Sequence, residues 1–247
     1  MNIQRSDHEG GVRLLRLDRP PANAINADFL NALCAEADAC AADPAVRAVV
    51  VGSAGKFFSA GLDLKEIATK GIGGLAALGG AGDGVYRLWR LPKPTVAMVA
   101  GHALAGGAIL MLACDFRIAA RGPYKIGVTE SALGLPLPNG AFQIARHALP
   151  ARSQRHVLLQ ADAVDPERAL ELGLVDEVVA PEDLEARCLA LAARLGAYPE
   201  SGYGYQKAKL QAEANRAVVE PPDLGTDRFK GSGLSPEVFA RLNPARS

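Results

Sequence analysis

The chain has 247 residues, 27 Lys and Arg against 27 Asp and Glu, with 49% hydrophobic and 5% aromatic residues. This length holds one large domain or two small ones with a proper core. Balanced charge and scarce aromatics argue against a nucleic-acid surface or an anionic-membrane binder.

In chain order, the opening MNIQRSDHEG is polar and lacks the apolar core of a secretory leader. VRLLRLD and VRAVVVGS are β-rich runs, and residues 28–42 between them form a helix with Phe29, Leu30, Leu33 and Ala37 on its apolar side. Half of residues 71–84 (GIGGLAALGGAGDG) are glycine, which is read equally as a lid over a site or as a tolerated surface insertion. TVAMVAG is a continuous apolar strand of the kind covered on both faces. GGAILMLACD follows as an apolar helix, then FRIAA and YKIGV as strands. Asp165 before Pro166 is an N-cap with proline at the first helical position. GLVDEVV is a strand, and PEDLEARCLALAARLGA is an amphipathic helix with Leu184, Cys188, Leu191 and Leu195 on one face. From Tyr198 the pattern is helical, with a break at EPPDLGTD. Strands interleaved with helices predict an α/β fold.

Cys34, Cys40, Cys114 and Cys188 form no C-x-x-C pair and are expected as buried, reduced thiols. No uncharged apolar run reaches about 18 residues, so no membrane span is expected. NPARS is no peroxisomal address, and the expected location is the cytoplasm.

Three nucleotide or hydrolase signatures nearly match and fail. GSAGKF has Val50 and Phe57 where a phosphate loop needs Gly and Ser or Thr. GIGGLA follows DLKEIATK instead of a strand, and FFSAG has Phe57 where a nucleophile elbow needs glycine. Ser59 is therefore read as a small turn residue. The histidines, His8, His102, His147 and His156, have no metal-ligand spacing, and His102 is read as hydrogen-bonded and structural.

Two small-residue clusters carry more. KFFSAGLDLKE and AGHALAGGAILML each place backbone N–H groups with small side chains at a strand-to-helix junction. Such groups lack intrahelical acceptors, and two that converge form an oxyanion hole. In KIGVTESALGLPLP, a single carboxylate, Glu130, stands among small and apolar residues. A buried carboxylate is costly without a partner, so either an exposed loop, an unseen cation or a catalytic role explains it.

Together with LDRPPANAIN and ALELGLVDEVV, these segments make residues 10–180 resemble the crotonase (enoyl-CoA hydratase/isomerase) superfamily, most of all its Δ3,Δ2-enoyl-CoA isomerase branch. The resemblance implies a crotonase-like spiral of ββα units over residues 1–197, and a C-terminal helical region, 198–247, that serves trimerisation. It implies homotrimers or dimers of trimers. The implied ligand is an acyl-CoA thioester, with CoA part of the substrate, no separate cofactor and no metal. The implied oxyanion donors are the N–H groups of Ala60 and Gly106. The substrate-binding residues would be Ala60, Gly61, Leu62, Asp63, Leu64, Gly106 and Thr129, with Lys207 or Lys209 reaching CoA phosphates from a neighbouring subunit. Hydratases of the family carry two glutamates. Here the first falls on Ile109 and the second on Glu130, which points to a one-base isomerase. A hydratase using a relayed water, another crotonase-type reaction, and a non-catalytic acyl-CoA-binding protein stay open as alternatives.

Overall fold

A computed structural model of the protein describes residues 2–66 and 83–219. The glycine-rich 71–84 segment therefore lies outside the described residues except for its last two positions, as does the EPPDLGTD break.

The main sheet has six strands in the order β1 (Asn2–His8), β2 (Val12–Asp18), β3 (Ala48–Ser53), β5 (Thr95–Val99), β7 (Phe116–Ala120) and β9 (Glu177–Val179). Only β1 pairs antiparallel; the other neighbours are parallel. A second, wholly parallel sheet joins β4 (Phe57–Ser59), β6 (His102–Leu104) and β8 (Ile126–Gly127). The sequence pattern did not reveal β1, β4 or β6. The first is a polar edge strand, and the other two are three residues long, too short for a period of two to register.

The two sheets are built together. β3 leads to β4 and then to a helix opening at Leu64; β5 leads to β6 and α3 (Gly106–Leu112); β7 leads to β8 and α4 (Glu130–Leu133). Each repeat therefore gives its first strand to the large sheet and its second to the small one. β2 starts a further repeat whose second strand shrinks to one bridge, Ile25 to Leu62, before α1 (Ala27–Ala42). This is the expected spiral of ββα units, and α2 (Asp83–Trp89) precedes β5.

Alternation along the large sheet divides the core. Val12, Leu14, Ala48, Val50, Val96, Met98 and Ile118 face α8 (Leu184–Gly196), which returns Leu184, Cys188, Leu191 and Leu195. Leu15, Leu17, Val49, Val51, Ala97 and Val99 face the opposite way, into the larger cluster containing Phe29, Leu33, Phe58 and α3. Burial on both faces explains why these strands read as unbroken apolar runs. Asp165 caps α7 (Pro166–Leu172) by accepting from Arg168 N–H at 2.8 Å. The buried Lys93 ammonium donates to the carbonyls of Cys40 and Asp43, both at 2.8 Å, closing the C-terminal end of α1. The four cysteines are free; Cys34 is half-buried, not buried as expected.

The C-terminal helix α9 (Glu200–Val219) packs on its own chain, against α5 (Asn139–Ala148) and the end of α2. Gln211 donates to Trp89 O at 2.8 Å, and Lys207 pairs with Asp115 at 2.9 Å.

Candidate active site

All three strands of the small sheet are parallel, so their C-terminal ends emerge along one edge, the position where parallel α/β sheets present ligand groups. From that edge come Ser59 to Leu62, Ala105 to Gly106, and Thr129 to Glu130.

The first segment has little freedom. Ser59 is fully buried; its hydroxyl donates to Asn23 O at 2.8 Å and accepts from Gly61 N–H at 3.2 Å. Ala60 N–H donates to Ala22 O at 2.9 Å. Ile25 N–H donates to Gly61 O at 2.7 Å, and Asp63 N–H to Ile25 O at 2.8 Å. In such a parallel bridge the central residue turns its own N–H to the other side. Leu62 N–H therefore faces away from Ile25, and it has no acceptor among the described residues. A side chain placed on Gly106 would lie 3.8 Å from the Leu62 nitrogen and 3.5 Å from Ile25 Cδ1.

This corrects the expectation for Ala60. Its amide is already spent on Ala22, so the available donor of the first cluster is Leu62, two residues on.

Gly106 is the first residue of α3 and has no intrahelical acceptor for its N–H. It is aimed by Ala105, whose backbone sits at φ 51°, ψ −128° and whose N–H is anchored to Gly127 O at 2.9 Å. An alanine there stores about 1–3 kcal/mol of strain that the surrounding bonds must offset. Gly61, at φ +83°, passes so close that a β-carbon on it would lie 2.9 Å from both Gly106 N and Ala105 Cβ. Only glycine lets the two segments approach.

Glu130 begins α4 and is buried, with Oε2 lacking a hydrogen-bond partner among the described residues. Burial pushes its pKa from 4.5 up to about 7, a rise limited by its own backbone N–H. Thr129, at the N-cap position, is half-buried and makes no capping bond. Of the other expected residues, Asp63 has a structural task. It accepts from Glu66 N–H at 3.1 Å and from Arg19 at 2.8 Å, capping the helix that opens at half-buried Leu64. Burial acts to raise its pKa, but these donors hold it below the ordinary value. Of the two lysines named for the CoA phosphates, Lys207 is the buried one. It is buried against Asp115, whereas exposed Lys209 lies over the Tyr205 ring at 5.6 Å. His102 accepts from Lys125 N–H at 3.1 Å and stacks on Phe57, in keeping with a structural role. Among the described residues, no cluster of three His, Cys, Asp or Glu side chains is arranged to hold a metal ion.

LDRPPANAIN entered only as part of the family resemblance, which gave Arg19, Asn23 and Ile25 no role; their bonds to residues 57–63 exist only in the tertiary fold.

A model of the enoyl-CoA hydratase/isomerase family matches residues 7–230. The chain belongs to that family. A probable enoyl-CoA hydratase from Mycobacterium avium is 32% identical over 228 residues, covering 92% of this chain and 88% of the relative. Human mitochondrial enoyl-CoA delta isomerase 1 is 31% identical over 229 residues, covering 90% of this chain and 75% of that protein. Among solved structures, human mitochondrial delta3-delta2-enoyl-CoA isomerase superposes with a TM-score of 0.84 at 27% identity, covering 100% of this chain and 98% of that one. The fold is thus that of the crotonases. Hydratases and isomerases match at nearly equal identity, so family membership gives the class of chemistry, and the site must argue the reaction.

Proposed function

We propose that this crotonase-family enzyme binds acyl-CoA thioesters and shifts the double bond of a 3-enoyl-CoA to the 2-position, with Glu130 as its single proton carrier. The observation that carries this reading is the carboxylate count. α3, which supplies Gly106, runs GGAILML without one ionisable side chain, and Ile109 lies buried in the core. Asp63 is engaged by Arg19, which leaves Glu130, its Oε2 without a partner, as the available buried acid on this edge of the sheet among the described residues.

The thioester oxygen sits between the N–H groups of Leu62 and Gly106. Glu130 takes a proton from C2, and the C–H electron pair delocalises onto that oxygen as a dienolate. The electrons then return, C4 takes the proton back from Glu130, and the double bond is left between C2 and C3. Each amide of such a hole is worth about 10²–10³ in rate, and a positioned base about 10²–10⁴. Hydration needs a second group to activate water at C3, which an isoleucine cannot do. The CoA moiety lies along the Ala60–Leu64 segment in this reading, and assembly into trimers or pairs of trimers belongs to the same proposal.

The test compares turnover of 3-hexenoyl-CoA and crotonyl-CoA by the wild type and Glu130→Gln. Conversion of the first to 2-hexenoyl-CoA at least about 10²-fold faster than hydration of the second is expected, with both lost in the variant. Faster formation of 3-hydroxybutyryl-CoA would make the protein a hydratase. Binding without turnover or C2 exchange in D₂O would make it an acyl-CoA carrier.

A further inference from the structure

We propose that Asn23 is a positioning residue for the oxyanion hole: from the loop after β2 it holds the strand end Phe57–Leu62 so that Leu62 offers the unpaired amide. The inference rests on reading the Leu62 and Gly106 amides as that hole.

Asn23 is buried, with a left-handed backbone at φ 49°, and each of its polar groups is engaged. Its N–H donates to Arg19 O at 2.8 Å, and its Oδ1 accepts from Arg19 N–H at 2.7 Å. Its Nδ2 donates to Phe57 O at 2.9 Å, and its carbonyl accepts from the Ser59 hydroxyl at 2.8 Å. The side chain thus staples the loop to β4, while the carbonyl orients the one hydroxyl that accepts from Gly61 N–H. The neighbours complete the pattern, with Ala22 O accepting from Ala60 N–H and Ile25 O from Asp63 N–H. Of the four consecutive amides 60 to 63, three are consumed by this loop or by the hydroxyl it orients. The fourth, Leu62, is left for a ligand. Arg19 extends the clamp, donating to Ala24 O at 2.9 Å and pairing with Asp63 at 2.8 Å on the far side of Leu62. Loss of the staple lets the segment swing, and misplacing a donor by about 1 Å costs on the order of 10² in rate.

The experiment reads carbonyl polarisation directly. 2,4-Hexadienoyl-CoA is bound to the full-length protein and its absorption band followed, alongside kcat and KM for 3-hexenoyl-CoA. Asn23→Gly keeps the left-handed backbone and removes both side-chain bonds. Ser59→Ala, retaining the asparagine, is the second variant in case the first does not fold. Leu191→Ala, on the buried side of α8 over the other face of the large sheet, controls for lost stability.

The wild type is expected to shift the band to longer wavelength. Asn23→Gly and Ser59→Ala should lose at least half of that shift and about tenfold or more in kcat, with KM within about twofold. Leu191→Ala should keep the full shift despite a comparable fall in Tm. A full shift and unchanged kcat in either folded variant overturns the role of Asn23. A wild-type complex without any shift overturns the hole itself, a separate and recognisable failure.

Discussion

At the residue scale, burial of the Glu130 carboxyl has separable consequences for rate and for stability. Its pKa is raised from 4.5 to about 7. Between those values the folded protein binds more protons than the unfolded chain, so stability falls as pH rises through that window and levels off above it. Glu130→Gln removes the buried charge and is expected to raise the unfolding free energy at pH 8 by up to about 3 kcal/mol, the gain fading towards pH 4. Denaturant titrations at both pH values check this, and an equal effect at both would place the carboxyl in solvent. With Glu130 as the base of the proposed reaction, the rate responds with the opposite sign. A base must be ionised, so kcat/KM should climb with pH and level off above about 7, and Glu130→Gln should lower it about 10²–10⁴-fold. Glu130 was legible because an isolated acid in an apolar stretch is costly wherever it is buried. The choice between Ala60 and Leu62 was not, because it depends on which carbonyls of residues 22–25 come alongside.

At the scale of elements, the long apolar strands and amphipathic helices could be read directly, while the small sheet that carries the site could not. Strands of two or three residues derive their stability from neighbours and leave no period in the chain. Nor did the pattern show what α9 does with its lysine. Lys207 and Tyr203 both reach Asp115, which also accepts from Thr95 N–H at 3.0 Å. This cluster ties α9 to β5 and the start of β7. Lys207→Met leaves the carboxylate without its cation, and a cost of about 3 kcal/mol is expected. Hydrogen exchange should quicken along α9 well before it does in β3 or β5. Uniform acceleration across the chain would mean that the pair does not specifically dock the helix.

For the whole molecule, the close approach of two ββα units makes the site possible, and glycine sets that distance. A β-carbon on Gly107 would run into the backbone carbonyl of Ser59, whereas one on Gly140 meets nothing within 4 Å. Gly107→Ala should therefore lose more than about 4 kcal/mol or fail to fold. Gly140→Ala, in α5, should be neutral or gain about 0.5–1 kcal/mol. Thermal unfolding of the pair gives the comparison, and equal Tm values would show that the units have room to part. No described helix is long and apolar enough to cross a membrane.

From the chain alone came the α/β class, the ordering of long strands and helices, the lone acid Glu130 and the glycines of both junctions. Each leaves a local mark, whether periodicity, small volume or an unmatched charge. The tertiary structure decided which amide stays free, which lysine is buried, and that RPPANAI is bonded to residues 57–63. Those outcomes depend on hydrogen-bond partners tens of residues away, and competition among adjacent donors for a few carbonyls is settled only once the strands lie side by side.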